Sequence, residues 1–295
     1  MLQPAFSTVA CPERSMSEVF ELAAQAGFLG VELRTFGAAS RGPSSDPALT
    51  APEKVRALVD RFGVRVCSLG TSCRFDEPVW PPVIGWAIAD VERSIREAKW
   101  HIDLAIALES PLVRVFAFDP PPRESTRSAT ARIAQRLKLV VGHAFRTGVR
   151  VSIENGGRFA TAARLMAIID AVDSPLLGVS YNVAVAAAAG EAPEHGLNVL
   201  GDRLLSLRVK DFKGEEACAL GDGDVPVREA VTRAARAGAS VPVIVEWDRA
   251  WIPGLAPADK VLGKSAERLF GWMKESGGAP GAGSRGGGRV ELHSA

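Results

Sequence analysis

The chain has 295 residues, with 35 Lys and Arg against 34 Asp and Glu and a formal charge of +1, which excludes a polyanion-binding surface built on bulk charge. With 47% hydrophobic and 23% charged residues it can bury a large core, so wholesale disorder is excluded and the length suits two ordinary domains or one α/β barrel. Apolar runs are broken by charge or Gly well before roughly 18 residues, and MLQPAFSTVACPERS has no basic region ahead of an apolar core. Neither a membrane span nor a signal peptide is predicted, and the protein is expected to be cytoplasmic. Cys11, Cys67, Cys73 and Cys218 form no CxxC pair and read as reduced thiols.

From the N-terminus onward, short β-branched or apolar runs alternate with longer stretches of helical period. Strands are predicted at Ala5–Val9, Gly30–Arg34, Val64–Leu69, Leu112–Phe118, Val149–Glu154, Leu177–Tyr181, Leu205–Val209 and Val243–Glu246. The first helix, Ser17–Ala26, opens with a Ser and an acidic residue and stops at Gly27. The next is expected to use Thr50 as its N-cap, with Pro52 in the first turn, Glu53 at the capping-box position and Gly63 as its stop. Trp86 to Leu108 carries Val91, Ile95, Ala98, Ile102 and Ala105 on one stripe. Helices follow at Arg127–Thr147, Ala160–Ala171, Val227–Ala237 and Ala258–Glu275, with a weak, Gly-broken candidate at Glu191–Leu200. Eight strands, each followed by a helix or a place for one, predict an α/β fold, a single (β/α)8 TIM barrel over residues 1–276. An open doubly wound sheet would usually carry a Gly-rich loop after its first strand, and TVACPERS has no Gly. Residues 277–295 are Gly-rich without apolar period and read as a disordered tail.

In a barrel of this kind the active site lies at the carboxyl ends of the strands. There the sequence places Glu32 and Arg34, Glu154 and Asn155, Tyr181 and Asn182, then Arg208, Lys210 and Asp211, and finally Glu246, Trp247 and Asp248. Charges inside otherwise apolar strands (VSIENGG, LLSLRVKDF, VPVIVEWD) cost several kcal/mol if desolvated without partners, so they are expected to face one another at the mouth. Each has a plainer reading. Glu154 and Glu246 suit buried structural pairs as well as catalysis, and Lys210 and Asp211 suit an ordinary solvated pair. Glu32 suits a loop cap and Trp247 suits packing. LGDGDVP is most simply a turn, with Gly221 and Gly223 permitting positive φ before a helix. Cys11 and Cys67 read as small apolar residues. Loops at Thr35–Thr50, Ser72–Ile84, Ala117–Glu124 and Asp248–Pro257 bring Trp80 and Trp251 toward the mouth, where aromatics suit a ligand with a hydrophobic or ring portion.

SIENGG, GVSYN, LRVKDF, ALGDGDVP and VIVEW, in that order, together with ELAAQAGFLGVELR near the start, resemble the xylose isomerase-like barrels over nearly the whole chain. That superfamily takes in sugar phosphate isomerases and epimerases, dehydratases and AP endonucleases. The resemblance implies a divalent metal (Mn, Mg or Zn) held by Glu, Asp, His and Glu from the fifth to eighth strands. Glu154 and Glu246 match the outer two ligands. Asn182 stands where the Asp is expected and Arg208 where the His of HxKD is expected, while Val185 replaces a further His. Guanidinium has donors only and stays charged, so it cannot ligate a cation. A metal is therefore disfavoured, and Arg208 is expected among Glu154, Glu246 and Asn182 in its place. His101, His143, His195 and His293 build no metal cluster by spacing.

The resemblance and the residues together give the expected function. It is sugar phosphate isomerase or epimerase-like proton transfer beside a carbonyl of a small polyhydroxylated or keto compound, with Glu154 and Glu246 as base and acid. Glu32, Asn182, Arg208, Lys210, Asp211 and Trp247 are the expected substrate contacts. The alternative is a diverged barrel that binds a ligand or a partner subunit without catalysis. A small molecule is the expected partner, with neither nucleic acid nor membrane, and a homodimer is the default assembly. A DNA-repair role needs a His-rich multi-metal site and a basic groove, which four His and a charge of +1 do not supply.

Overall fold

The computed structural model describes residues 1–36, 45–77 and 91–277. Eight parallel strands close into a barrel: β1 (Gln3–Ser7), β2 (Gly30–Arg34), β3 (Arg65–Arg74), β4 (Leu112–Phe116), β5 (Arg150–Glu154), β6 (Leu177–Asn182), β7 (Leu204–Val209) and β10 (Pro242–Val245). Closure is made by β1 against β10, with Gln3 opposite Pro242 and Phe6 opposite Val245. A two-stranded antiparallel hairpin, β8 (Asp211–Lys213) and β9 (Glu216–Cys218), follows β7 at the mouth. The helices are α1 (Met16–Ala26), α2 (Pro52–Phe62), α3 (Val91–Ala107), α4 (Thr126–His143), α5 (Ala162–Val172), α6 (Val183–Ala188), α7 (Pro193–Leu200), α8 (Val227–Arg236) and α9 (Ala258–Gly277). None of them is long and apolar enough to cross a membrane.

Local chemistry accounts for the helix ends. At α1 the Ser15 hydroxyl accepts from the Glu18 amide while the Glu18 carboxylate accepts from the Ser15 amide, and Gly27 ends the helix at φ 81°. The reciprocal cap at Ser15 starts the helix at Met16, one residue ahead of the expected Ser17. Thr50 is not the cap of α2. It closes a short 3-10 turn, Pro47–Leu49, that Asp46 caps, and α2 begins after Ala51 with Pro52 at its first position. The weak candidate near residue 191 is helical from Pro193 to Leu200. The start expected for α3 at Trp86 lies outside the described residues, as do Trp80 and all of the tail beyond Gly277, but Ile95, Ala98, Ile102 and Ala105 are buried as the stripe requires.

Side chains alternate between the helical layer and the barrel interior along each strand. Outward residues such as Phe6, Val31, Leu33, Val113, Ile153 and Leu207 join the buried faces of the helices in one continuous core. The interior is different. Ala5, Cys67 and Ile244 form a small apolar plug of their own at the amino-terminal end. Above them Ser180 and Ser206 share a hydrogen bond of 2.6 Å, and above those lie charged side chains. A polar interior of this kind must satisfy its own charges, which is what positions the site.

Candidate functional site

Three glutamates and two arginines from five strands meet inside the mouth. Arg208, on β7, is fully buried. Its Nη1 donates to Glu32 Oε2 at 2.6 Å and its Nη2 to Glu32 Oε1 at 2.9 Å and to Glu246 Oε1, while Nε lies 3.4 Å from Glu154 Oε2. Arg114, on β4, donates from Nη1 to Glu154 Oε2 at 2.5 Å and from Nε and Nη2 to Glu32 at 3.2 and 3.3 Å. Asn182, at the end of β6, donates one amide nitrogen to Glu154 Oε1 and to Glu246 Oε2, each at 3.1 Å. The two carboxylates therefore lie within twice that distance of one another. Lys210 donates to Asp248 Oδ2 at 2.9 Å and stands 3.7 Å from Glu246 Oε2.

Electrostatics follow from these contacts. Burial alone would raise the Glu32 carboxyl, but Arg114 and Arg208 outweigh it and hold it at about 2. Burial would likewise raise Glu246, and Arg208, Lys210 and Arg114 together hold it well below the usual carboxylate range. Burial would lower Arg208, yet Glu246, Glu32 and Glu154 raise it well above its ordinary value. Lys210 is raised by Glu246 and Asp248 against the same burial. Glu32, Glu246, Arg208 and Lys210 are thus all ionised at neutral pH, with the Arg208 guanidinium at their centre.

Glu154, Asn182, Arg208, Glu246 and Lys210, all expected at the mouth, are brought together. Glu32 is not a mouth residue. It is 0% exposed beneath the others, both oxygens taken by guanidiniums, whereas Glu154 and Glu246 keep 5% and 9% exposure. Asp211 is turned away. Its carboxylate accepts from the amides of Phe212, Gly221, Gly223 and Val225 at 2.7–3.1 Å and so organises the loop ahead of α8. The same contacts explain LGDGDVP. Gly221 does adopt φ 81°, but Gly223 does not adopt positive φ; a Cβ there would meet Asp211 Oδ1 and Phe212 O at 2.3 Å. Trp247 is buried and donates its indole N–H to Ala256 O at 2.8 Å, a packing role. Trp251 is 55% exposed and stands over Phe36 and the Arg34 guanidinium.

Arg114 and Gly70 were missed. LVRVF carries a guanidinium in the middle of an apolar strand, the same signal that singled out the other charges. Its side chain is long enough to reach the mouth from a mid-strand position. Gly70, its neighbour on β3, makes the room: a Cβ there would lie 2.6 Å from Arg114 Nη2 and 3.0 Å from Glu32. His101 is also buried, with Nε2 3.0 Å from Thr35 Oγ1 and Nδ1 2.6 Å from Glu97 O, apart from the charged cluster.

A divalent ion does not fit this donor set. The amide nitrogen of Asn182, a donor, faces both carboxylates, and a guanidinium lies where the third ligand is required. Among the described residues no group of three or more His, Cys, Asp or Glu is arranged to hold a metal.

A closed eight-stranded parallel barrel with helices between its strands is a TIM barrel, here with charged groups gathered at the carboxyl ends of the strands. The sequence matches the xylose isomerase-like TIM barrel family over residues 20–275, and the chain belongs to that family. No curated protein matches it. Among solved structures it is similar to an IolI protein with a bound zinc atom (TM-score 0.77, 13% identity, 93% of this chain and 99% of that one). It is similar to an L-ribulose 3-epimerase (0.77, 14%, 94% and 96%). It is also similar to a probable 3-DHS dehydratase, AsbF, from Bacillus anthracis (0.72, 15%, 91% and 98%). At these identities the likeness is one of fold.

Proposed function

We propose that the protein is a sugar isomerase or epimerase-like enzyme that moves a proton at a carbon beside a carbonyl of a small polyhydroxylated or keto compound, and that it does so without a divalent metal. The observation that carries this reading is the pair Glu154 and Glu246. They come from strands on opposite sides of β6 and β7, accept from one Asn182 nitrogen and reach the mouth, with a guanidinium behind them. An ionised carboxylate takes the proton from the carbon, and the electron pair moves to the carbonyl oxygen. Lys210, more exposed than Arg114 and Arg208, donates a hydrogen bond to the oxyanion that forms. Return of the proton to the neighbouring carbon gives isomerisation, return to the opposite face gives epimerisation, and loss of a β-hydroxyl as water gives dehydration. Because Arg208 holds Glu246 ionised, Glu246 serves as a base and becomes an acid only after it has taken the proton.

The test is incorporation of deuterium from D2O at the carbon beside the carbonyl, followed by NMR over a panel of ketoses, inososes and hydroxyketones. Exchange by the native protein that falls about 10²–10⁴-fold in Glu154→Gln or Glu246→Gln supports the proposal; exchange that both variants retain overturns it. A second reading, a ligand-binding barrel without catalysis, is favoured by one observation. All six oxygens of Glu32, Glu154 and Glu246 accept hydrogen bonds from Arg114, Arg208 or Asn182. Each oxygen of a base here is already engaged in a charge-assisted bond, which lowers its basicity. Ligand binding with no exchange on any compound would select that reading.

A further inference from the structure

Between α6, the β8–β9 hairpin and the loop before α8 lies an open cavity of about 500 Å³ that shares Lys210 with the charged cluster. Its walls include Val185, Ala187 and Ala188 from α6 with Phe212 and Val225, and Lys210 and Asp224 are its charged lining residues. This is the size of a small-molecule site, and a wall of methyls and one ring offers an alkyl chain contacts that a polyol's hydroxyls cannot use.

The charges on its rim matter as much as its walls. The Lys210 ammonium already serves Asp248 and leans toward Glu246, so its charge is balanced, and Asp224 lines the cavity as a further carboxylate. A phosphate placed here would meet one neutralised cation and a surplus of negative charge. A neutral carbonyl oxygen meets no such repulsion and accepts an ammonium N–H.

We propose that this cavity is the substituent pocket of the reaction site and that it selects an uncharged α-hydroxyketone carrying a short alkyl chain over a sugar phosphate or a free polyol. The inference rests on the reading that the mouth is where the carbonyl is held. The carbonyl oxygen lies on Lys210 and the chain runs along α6 against Phe212 and Val225.

The experiment uses the whole protein and a series of symmetric acyloins, 3-hydroxybutan-2-one, 4-hydroxyhexan-3-one and 5-hydroxyoctan-4-one, with fructose and fructose 6-phosphate for comparison. Dissociation constants come from ligand-observed NMR titration, and deuterium exchange is read in the same samples. Each methylene that enters the pocket is expected to tighten binding about three- to fourfold. Ala188→Leu, at an exposed position on α6 that tolerates a larger side chain, is expected to abolish the chain-length gain, so that 5-hydroxyoctan-4-one binds no more tightly than 3-hydroxybutan-2-one. Affinity independent of chain length, a chain-length gain that Ala188→Leu leaves intact, or tighter binding of fructose 6-phosphate than of fructose would each overturn the proposal. The two claims fail separately. Length-dependent binding without exchange removes the catalytic reading and keeps the pocket, whereas exchange on polyols with no length dependence removes the pocket and keeps the catalysis.

Discussion

Replacing Arg208 by Met leaves two buried carboxylates short of their main cation and is the sharpest probe of the cluster. Glu32 titrates at about 2 in the folded protein against an ordinary 4.5, and at about 1.4 kcal/mol per pKa unit this depression corresponds to about 3 kcal/mol of stability at neutral pH. Arg114 and Arg208 share that effect, but Glu246 also loses its bond, and removal of one partner from a buried ion pair costs about 3–5 kcal/mol. Arg208→Met is therefore expected to lose about that much. Because the folded-state pKa of Glu32 is depressed, its contribution is complete above the unfolded value and is lost as pH falls from about 4.5 through about 2. In the variant the stranded carboxylates protonate at higher pH, so the gap from the parent is widest at neutral pH and narrows on acidification. Denaturant unfolding followed by circular dichroism at neutral pH and at two acidic values measures this directly. Arg208→Lys, which keeps the charge but not the two-pronged geometry, is expected to recover only part of the loss. A variant as stable as its parent at neutral pH, or a gap that widens on acidification, would refute the assignment of Arg208 as the cluster's central counter-ion.

Asp211→Ala removes the common acceptor of four amides and is expected to cost about 2–3 kcal/mol, with faster hydrogen exchange at Phe212, Gly221, Gly223 and Val225; unchanged exchange at these amides would show the loop is held otherwise. Burial pushes the Cys11 thiol to about 12 and Cys73 to about 11 and raises Cys67 as well. A thiol reagent at mildly alkaline pH should therefore modify Cys218 first and the other three only on unfolding, and fast loss of more than one thiol per native chain would contradict this. Added Mn²⁺ or Zn²⁺ is expected to leave the unfolding temperature unchanged, since only a ligand of the folded state raises it; a stoichiometric rise abolished by Glu154→Gln would show that the guanidinium yields to the ion.

The barrel was readable because its strands are buried on both sides and announce themselves as apolar runs, and every predicted strand lies within two residues of the observed start. Strand ends were less visible. β3 runs on to Arg74 instead of stopping at Leu69, since TSCR lacks the apolar pattern yet still pairs with β4. Within the site, the residues at strand ends were found because position alone marks them. Arg114 was overlooked because its backbone sits in mid-strand while its charge is delivered to the mouth, a distance of side chain that a linear reading does not count. Asp211 misled for the opposite reason. Its backbone is at a strand end, but nearby amides from a later loop claim the carboxylate, and only the spacing to Gly221 and Gly223 hinted at that closure.

The departures from the implied ligand set are consistent with one another in charge. Three carboxylates and a neutral imidazole around a divalent cation leave one net negative charge. Two carboxylates, an amide and a guanidinium leave the same, so Asp to Asn at 182 and His to Arg at 208 compensate as a pair where either alone does not. An Arg at 208 with Asp still at 182 would put a third carboxylate against Glu154 and Glu246, and Asn at 182 without the Arg would leave those two facing each other with less cation between them. Arg114 and Glu32 add an ion pair of zero net charge beneath. A returning metal ion would have to displace a guanidinium that donates to both oxygens of the fully buried Glu32, leaving that carboxylate the longer contacts with Arg114. The buried pair thus holds the cation in place from below, and this is why Arg208→Met, and not a change at the mouth, is the substitution on which the reading of the site turns.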